Sequence, residues 1–161
     1  MENPLVTLAR KIALHRHKCV GSVGLMPLEK MHKATLFLDS EDADSEQTKK
    51  LIVAFLGKYG IHTNVLCPQK WDVNWYGKMK KPRLRKGERP VDWDDDLFIS
   101  LAEAGNFTSE FEARISHAKF KVGRVELPDH EFDLVLTNAE HSLPRQTLVW
   151  KVIQDYLLKI Q

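Results

Sequence analysis

Residues 33–67 read KATLFLDSEDADSEQTKKLIVAFLGKYGIHTNVLC, in which an amphipathic segment separates two strand-like runs. The run 33–39 is almost continuously apolar, which is typical of a strand in a sheet covered on both faces. The run 61–67 predicts a second strand. Between them, residues 46–59 predict a helix with Ser45 as its N-cap and Gly60 at its C-terminal end. Its apolar stripe contains Leu51, Ile52, Phe55 and Leu56. A strand, a helix and a strand in this order predict a right-handed βαβ crossover with parallel strands.

The pattern of a strand followed by a helix continues towards the C-terminus. Further strands are expected at 95–101, 120–125 and 132–137, and further helices at 4–18, 109–117 and 145–158. This alternation predicts an α/β fold, doubly wound, with a mostly parallel sheet of about five strands of the flavodoxin-like or Rossmann-like kind. We expect residues 1–32 to form an N-terminal basic helical arm. Residues 33–161 then form a single α/β domain.

Composition and the N-terminal residues restrict the class of protein. A length of 161 residues fits one domain, and 43% hydrophobic residues suffice for one core. Glu2 precedes Arg10 and Lys11, the reverse of the order in a secretory signal, and no apolar run approaches the length of a membrane span. Cys19 and Cys67 are therefore expected to be reduced thiols. The expected location is cytoplasmic.

The charges are unevenly distributed, although the net charge is only +2. Residues 70–90 carry eight lysines and arginines against two acidic residues, whereas residues 91–161 carry seven against thirteen. Such a separation produces a directional field that can select an acidic partner. The alternative is that the two regions neutralise one another across the folded surface.

A basic, aromatic loop is expected at residues 69–94. It interleaves Trp71, Trp75 and Tyr76 with lysines and arginines, and its prolines and glycines interrupt regular structure. Cations bind phosphates and aromatic rings stack on unpaired bases, so the pattern favours binding to RNA or to an acidic protein. The residues predicted to contact the partner are Trp75, Lys78, Lys80, Lys81, Arg83, Arg85 and Lys86. The alternative is that Trp71, Trp75 and Tyr76 are core or flap residues and that the lysines only solvate a long loop. Burial of the loop in an oligomer interface is also open.

A second hypothesis is a small enzyme or ligand carrier whose site lies at the carboxyl ends of the parallel strands, where open α/β sheets bind their ligands. The residues expected at this rim are Asp39, Ser40, Asn106, Thr108, Ser109 and Asn138. Thr108 and Ser109 precede the helix predicted at 109–117, whose free N–H groups could hold an anion. Simple capping of that helix by the same hydroxyls is the alternative. The leading hypothesis is a non-catalytic binding protein that holds an acidic partner, RNA or a protein, with the N-terminal basic arm and the loop at 70–90.

The sequence lacks the motifs that several kinds of binding and catalysis require. The loop after Asp39 has no glycine for a dinucleotide fingerprint, and no P-loop motif occurs, so no nucleotide cofactor is expected. His15 and His17 point in different directions on a helix, which argues against a zinc site with Cys19. The aspartates at 92–96 open a strand, at the end of the sheet opposite to the ligand crevice, and are expected to be a solvated boundary. No metal is therefore expected.

The stretch 95–124, from DDLFISL to ARISHAKFKVGR, together with FDLVL at 132–136, resembles a family of small bacterial α/β proteins of unknown function. That resemblance runs from about residue 33 to 158 and implies the fold alone. The same stretch is similar to the N-terminal half of heptosyltransferase-type glycosyltransferases, in which an Arg-bearing helix and a Val-Gly-Arg strand recur. Those enzymes bind the sugar nucleotide with a second domain, so this local resemblance implies a Rossmann-like fold and not their activity.

Overall fold

The structure is a computed structural model that describes residues 3–16, 26–80, 95–103, 105–127, 131–137 and 145–159. Its strands are β1 (Lys33–Phe37), β2 (His62–Leu66), β3 (Leu97–Ser100), β4 (Phe120–Val125) and β5 (Leu134–Thr137). Its helices are α1 (Pro4–Arg16), α2 (Ser45–Gly57), α3 (Phe107–Ile115) and α4 (Gln146–Lys159). The predicted elements are therefore present, most of them one to three residues shorter at an end.

All five strands are parallel and lie in the order β2-β1-β3-β4-β5. Leu36 of β1 is in register with Val65 of β2 on one side and with Ile99 of β3 on the other. This is the flavodoxin-like strand order, in which the ligand crevice is expected between β1 and β3 because the connections leave these strands in opposite directions. The predicted doubly wound α/β class is confirmed.

Alternate side chains of each strand enter two separate apolar layers. One layer lies beneath α2 and α4, where Leu36 and Ile99 of the sheet meet Phe55 and Trp150. The Phe55 and Trp150 rings are edge to face with centroids 5.4 Å apart. The other layer lies beneath α3 and contains Phe37 and Phe98, among others. Helices on both faces explain why the central strands β1 and β3 are apolar almost throughout.

The segment before β1 also enters the main core. Leu28 and Met31 are buried among the side chains beneath α2 and α4. Helix α1 contacts α3, yet none of its residues is buried. The predicted arm therefore contains a loosely packed helix and a short segment that is part of the core.

The prediction of a solvated boundary is wrong for Asp95 and Asp96, which are buried, while Asp92 and Asp94 lie outside the described residues. Asp96 accepts backbone hydrogen bonds from His32 (2.6 Å) and Lys33 (3.2 Å), and Lys119 Nζ donates to its other oxygen at 3.0 Å. These hydrogen bonds outweigh the effect of burial and lower the pKa of Asp96. Asp95 accepts a hydrogen bond from the hydroxyl of Thr35. The two carboxylates thus tie together the amino ends of three strands.

Two helices begin earlier than predicted. Asp44, not Ser45, is the N-cap residue of α2, and its carboxylate accepts the backbone N–H (3.1 Å) and the hydroxyl (2.6 Å) of Thr147 in α4. Asn106 caps α3, because its side-chain oxygen accepts the backbone N–H of Ser109 at 3.0 Å. The local pattern of apolar residues could not reveal these caps, since one of them serves a helix about a hundred residues away.

The connection from β4 to β5 is unusual for parallel neighbours. It has only eight residues, 126–133, and no described residue in it is helical, whereas parallel strands usually need a dozen or more residues and a helix. Phe132 takes the helix's place, because its ring lies directly on the backbone of Gly123 in β4. Glycine is required at this position because the ring occupies the space of a side chain.

Candidate functional site

Residues 69–80, which follow β2, form a compact hairpin, referred to below as the tryptophan hairpin. A short 3-10 turn at Lys70–Asp72 opens it, and the carboxylate of Asp72 accepts the backbone N–H of Gln69 at 2.7 Å. Val73 and Met79 then form an antiparallel bridge, closed by a backbone hydrogen bond of 2.8 Å from Asn74 to Lys78. The first half of the predicted 69–94 loop is therefore an ordered structure.

The side chain of Asn74 organises the tip of the tryptophan hairpin. Its oxygen accepts the backbone N–H groups of Tyr76 (3.1 Å), Gly77 (3.1 Å) and Lys78 (3.0 Å). The chain turns at Gly77 with φ of 101°, a conformation that side chains disfavour. An asparagine followed three residues later by glycine thus encodes the turn.

Two helices hold this tip from below. The hydroxyl of Thr108, in the first turn of α3, donates to the carbonyl of Gly77 at 2.7 Å. The Nε of Arg10 in α1 donates to the carbonyl of Tyr76, also at 2.7 Å, and the guanidinium lies 5.0 Å from the centre of the Phe107 ring. Gly77 is buried at the point where these groups meet. Contacts from α1 and from α3 therefore fix the conformation of the tip.

The tryptophan hairpin directs two indole rings into solvent. Trp71 is 72% exposed and Trp75 is 67% exposed, whereas Trp150 is buried in the core. Trp75 meets the ring of Tyr76 edge-on at 5.1 Å, and Tyr76 in turn contacts Phe107. Large exposed rings indicate a binding surface, because their apolar area stabilises a structure only when a partner buries it. Their interpretation as core residues is contradicted for these two tryptophans.

The charges of the tryptophan hairpin are mostly positive, with Lys70, Lys78 and Lys80 against the single carboxylate of Asp72. Lys70 and Lys80 are exposed, and neither forms an ion pair with a carboxylate among the described residues. Lys78 is half-buried, with its ammonium 5.5 Å from the centre of the Phe111 ring. Beneath it, burial raises the pKa of Glu112 to about 7, although the positive charge of Lys78 acts in the opposite direction. Of the predicted contact residues, Trp75, Lys78 and Lys80 lie here, while Lys81, Arg83, Arg85 and Lys86 lie outside the described residues.

The residues predicted for the carboxyl-end rim mostly satisfy internal hydrogen bonds. Asp39 is held through its backbone N–H, which donates to buried Gln146 at 2.9 Å, and the Ser40 hydroxyl donates to the carbonyl of Pro68 at 2.8 Å. Ser109 is buried and shares a hydrogen bond of 2.6 Å with Ser100. Asn106 is the cap of α3 and Thr108 supports the tryptophan hairpin, so both have structural partners as well. Asn138 lies outside the described residues.

A buried arginine, which was not predicted from the sequence as a site residue, lies beneath the crevice expected between β1 and β3. The guanidinium of Arg124 lies 3.3 Å from Glu103, 3.7 Å from Asp42 and 3.2 Å from the carbonyl of Leu101. Burial, together with the neighbouring carboxylates led by Asp44, raises the pKa of Asp42 even though Arg124 opposes the shift. The signal that could have identified it from the sequence is an arginine at a position of β4 that is expected to face the core. Its contacts join the loops after β1 and β3 from below, which is a structural role.

The groove found among the described residues does not include the residues predicted for the rim. This open groove of about 280 Å³ lies instead between the first turns of α2 and α4. It is lined by Asp44, Gln47, Arg145, Thr147, Leu148 and Lys151. Within the described ranges, no three histidine, cysteine, aspartate or glutamate side chains are grouped so that they could hold a metal ion. Cys67 is half-buried, and burial raises the pKa of its thiol, which disfavours a nucleophilic thiolate.

Comparison of the chain with protein-family models, with curated proteins and with solved structures finds no match. The resemblances read from residues 95–136 therefore stay predictions. In the part of the chain that the structure describes, no helix combines the length and the apolar character needed to cross a membrane.

Proposed function

We propose that this protein is a non-catalytic binding protein that holds single-stranded RNA on the tryptophan hairpin. The observation that carries the proposal is the pair of exposed indoles, Trp71 and Trp75, on a loop whose backbone is fixed by internal hydrogen bonds. Unpaired bases stack on such rings without regard to sequence, which is how many single-strand binders gain affinity. In this proposal the two rings stack bases of one strand.

The charge of the tryptophan hairpin supports a polyanionic partner. Lys70 and Lys80 flank the two rings and carry positive charge in solvent. As these lysines bind the strand, they would displace counterions from its phosphates, which makes binding dependent on salt. A protein interface would in contrast be expected to have a continuous apolar centre. The tryptophan hairpin combines exposed rings with exposed lysines, and we therefore favour RNA over an acidic protein.

Rigidity of the free loop supports the same function. A loop that is already ordered loses little conformational entropy when a strand binds to it. Asn74, Thr108 and Arg10 each fix the backbone near Trp75 before any ligand is present. The rings are thus presented in solvent by a supported backbone, so binding requires no refolding of the tip.

Binding of a fluorescein-labelled oligouridine of about 12 nucleotides, a length within the site sizes of single-strand binders, tests the proposal by fluorescence anisotropy. Trp75→Ala should weaken binding by roughly 5- to 150-fold, which corresponds to about 1–3 kcal/mol for one stacked base. The matched control is Tyr156→Ala, because Tyr156 is an exposed aromatic residue on α4, which packs on the other face of the sheet. That variant should bind as the wild type does.

Three outcomes would contradict the proposal. The first is no binding at low salt, and the second is equal affinity of the Trp75→Ala variant and the wild type. The third is equally tight binding of polyglutamate with the same dependence on Trp75, which would identify the partner as an acidic protein. The molecular mass in solution is measured alongside, since a dimer dissociated by Trp75→Ala would place the rings in a self-interface instead.

A further inference from the structure

Helix α1 carries much of the positive charge of the N-terminal segment, and the sequence predicts that this charge contacts the partner. The structure suggests a different role for one of these residues. No residue of α1 is buried, and Leu5, Leu8 and Ile12 remain exposed, so the helix has little apolar contact to hold it in place. Its docking must therefore depend strongly on the polar contacts that it makes.

Arg10 makes the contact that joins α1 to the tryptophan hairpin. Its Nε donates to the backbone carbonyl of Tyr76 at 2.7 Å, and its guanidinium lies 5.0 Å from the centre of the Phe107 ring in α3. One side chain thus touches α1's two neighbours at once. The accepting carbonyl is adjacent to Trp75, the residue whose ring is proposed to stack a base.

We infer that Arg10 is a positioning residue that couples the docking of α1 to RNA binding by the tryptophan hairpin; the inference rests on the proposed function. The guanidinium does not need to touch the RNA, because its hydrogen bond to Tyr76 holds the binding conformation of the loop. When a protein populates its binding-competent state only in part, its apparent affinity falls by that fraction. Coupling is reciprocal, so bound RNA must stabilise the docked position of α1 by the same factor.

Lys11 provides a matched control within the same helix. It is adjacent to Arg10, carries the same charge and is exposed. If α1 acts by attracting phosphates, removing either residue weakens binding and reduces its dependence on salt. If Arg10 acts through Tyr76, Arg10→Ala weakens binding without changing the salt dependence, and Lys11→Ala changes neither.

The first measurement is hydrogen exchange of the free protein, monitored at each N–H group by nuclear magnetic resonance. Arg10→Ala should accelerate exchange of the N–H groups of Tyr76, Gly77 and Lys78, which donate to Asn74 in the wild type. Exchange in the sheet should stay unchanged. Lys11→Ala should leave all of these rates as they are.

Oligouridine binding over a series of salt concentrations is the second measurement. Arg10→Ala should bind about tenfold more weakly, as expected for the loss of one charge-assisted hydrogen bond, with the wild-type slope of log affinity against log salt. Bound oligouridine should slow exchange in α1 of the wild type and not in α1 of Arg10→Ala. Where Arg10→Ala fails to fold, Arg10→Met replaces it, since methionine retains a long unbranched side chain but has no N–H donor.

Unchanged exchange at residues 76–78 in Arg10→Ala would overturn the inference. An equal loss of affinity and of salt dependence in Arg10→Ala and Lys11→Ala would also overturn it, because both residues would then act as phosphate contacts. If the wild type binds no RNA, the proposed function fails by itself. The exchange rates at residues 76–78 still decide in that case whether Arg10 holds the tip.

Discussion

Replacing Gly123 of β4 by alanine tests the most tightly packed point of the sheet. A Cβ at this position would lie 2.0 Å from Cδ2, 2.3 Å from Cε2 and 2.5 Å from Cγ of Phe132. Rotation of the ring about its own axis cannot relieve this overlap, because that rotation leaves Cγ in place. The backbone of β4 or the whole Phe132 side chain must therefore move.

Two limits bracket the cost of the Gly123→Ala substitution. Overpacking a core by one methyl group costs about 1–3 kcal/mol. Expelling the buried Phe132 ring would cost no more than deleting it, which is about 3–5 kcal/mol. We therefore expect a loss of about 3 kcal/mol in the free energy of unfolding, measured as a decrease on the order of 1 M in the urea midpoint.

A double-mutant cycle with Phe132→Ala identifies the cause. Without the ring, the added methyl group meets no obstacle, and alanine should even gain about 0.5–1 kcal/mol over glycine within a strand. Gly123→Ala should thus be destabilising in the wild type and neutral or stabilising in Phe132→Ala. Equal costs in the two backgrounds would refute the placement of Phe132 on Gly123.

Two further predictions concern the tryptophan hairpin and the α3 carboxyl group of Glu112 beneath it. Gly77→Ala forces a side chain into φ of 101°, with its Cβ 3.1 Å from the Phe107 ring. The substitution should lower the free energy of unfolding in urea by about 1–3 kcal/mol and weaken RNA binding. A wild-type affinity would contradict the requirement for glycine. Burial raises the folded-state pKa of Glu112 from 4.5 to about 7, so the folded state binds more protons between these values and its stability falls as pH rises through this interval. Glu112→Gln should remove that decline and be more stable than the wild type above pH 7, and unfolding curves with the same pH dependence in both proteins would exclude a buried Glu112 carboxyl.

Local sequence patterns were sufficient to predict the fold because each strand and helix has its own apolar periodicity. The segment 33–67 defined the first crossover, and β4 was predicted with both of its ends as observed. The strands expected at 120–125 and 132–137 already implied a short connection between β4 and β5, but the contact between Gly123 and Phe132 could not be predicted, because it has no periodic signature. The burial of Asp96 was also missed, since its partners His32 and Lys33 lie more than sixty residues away in the chain.

The candidate site was predicted only in part, for a similar reason. The mixture of rings and lysines indicated a binding loop, but sequence cannot tell whether a tryptophan is buried like Trp150 or exposed like Trp75. The rim hypothesis assumed that polar residues at strand ends are available to a ligand. The structure instead gives Ser40 and Ser109 internal partners, which only the tertiary contacts could reveal.

Photocrosslinking tests most directly whether bases stack on the exposed indoles. An oligouridine that contains 4-thiouridine is irradiated with the wild-type protein at low salt, and the crosslinked peptides are mapped by mass spectrometry. The account predicts crosslinks at Trp71 and Trp75, which disappear when unlabelled oligouridine competes. Crosslinks that map to the rim around Asp39 and Asn106, with none in residues 69–80, would contradict it.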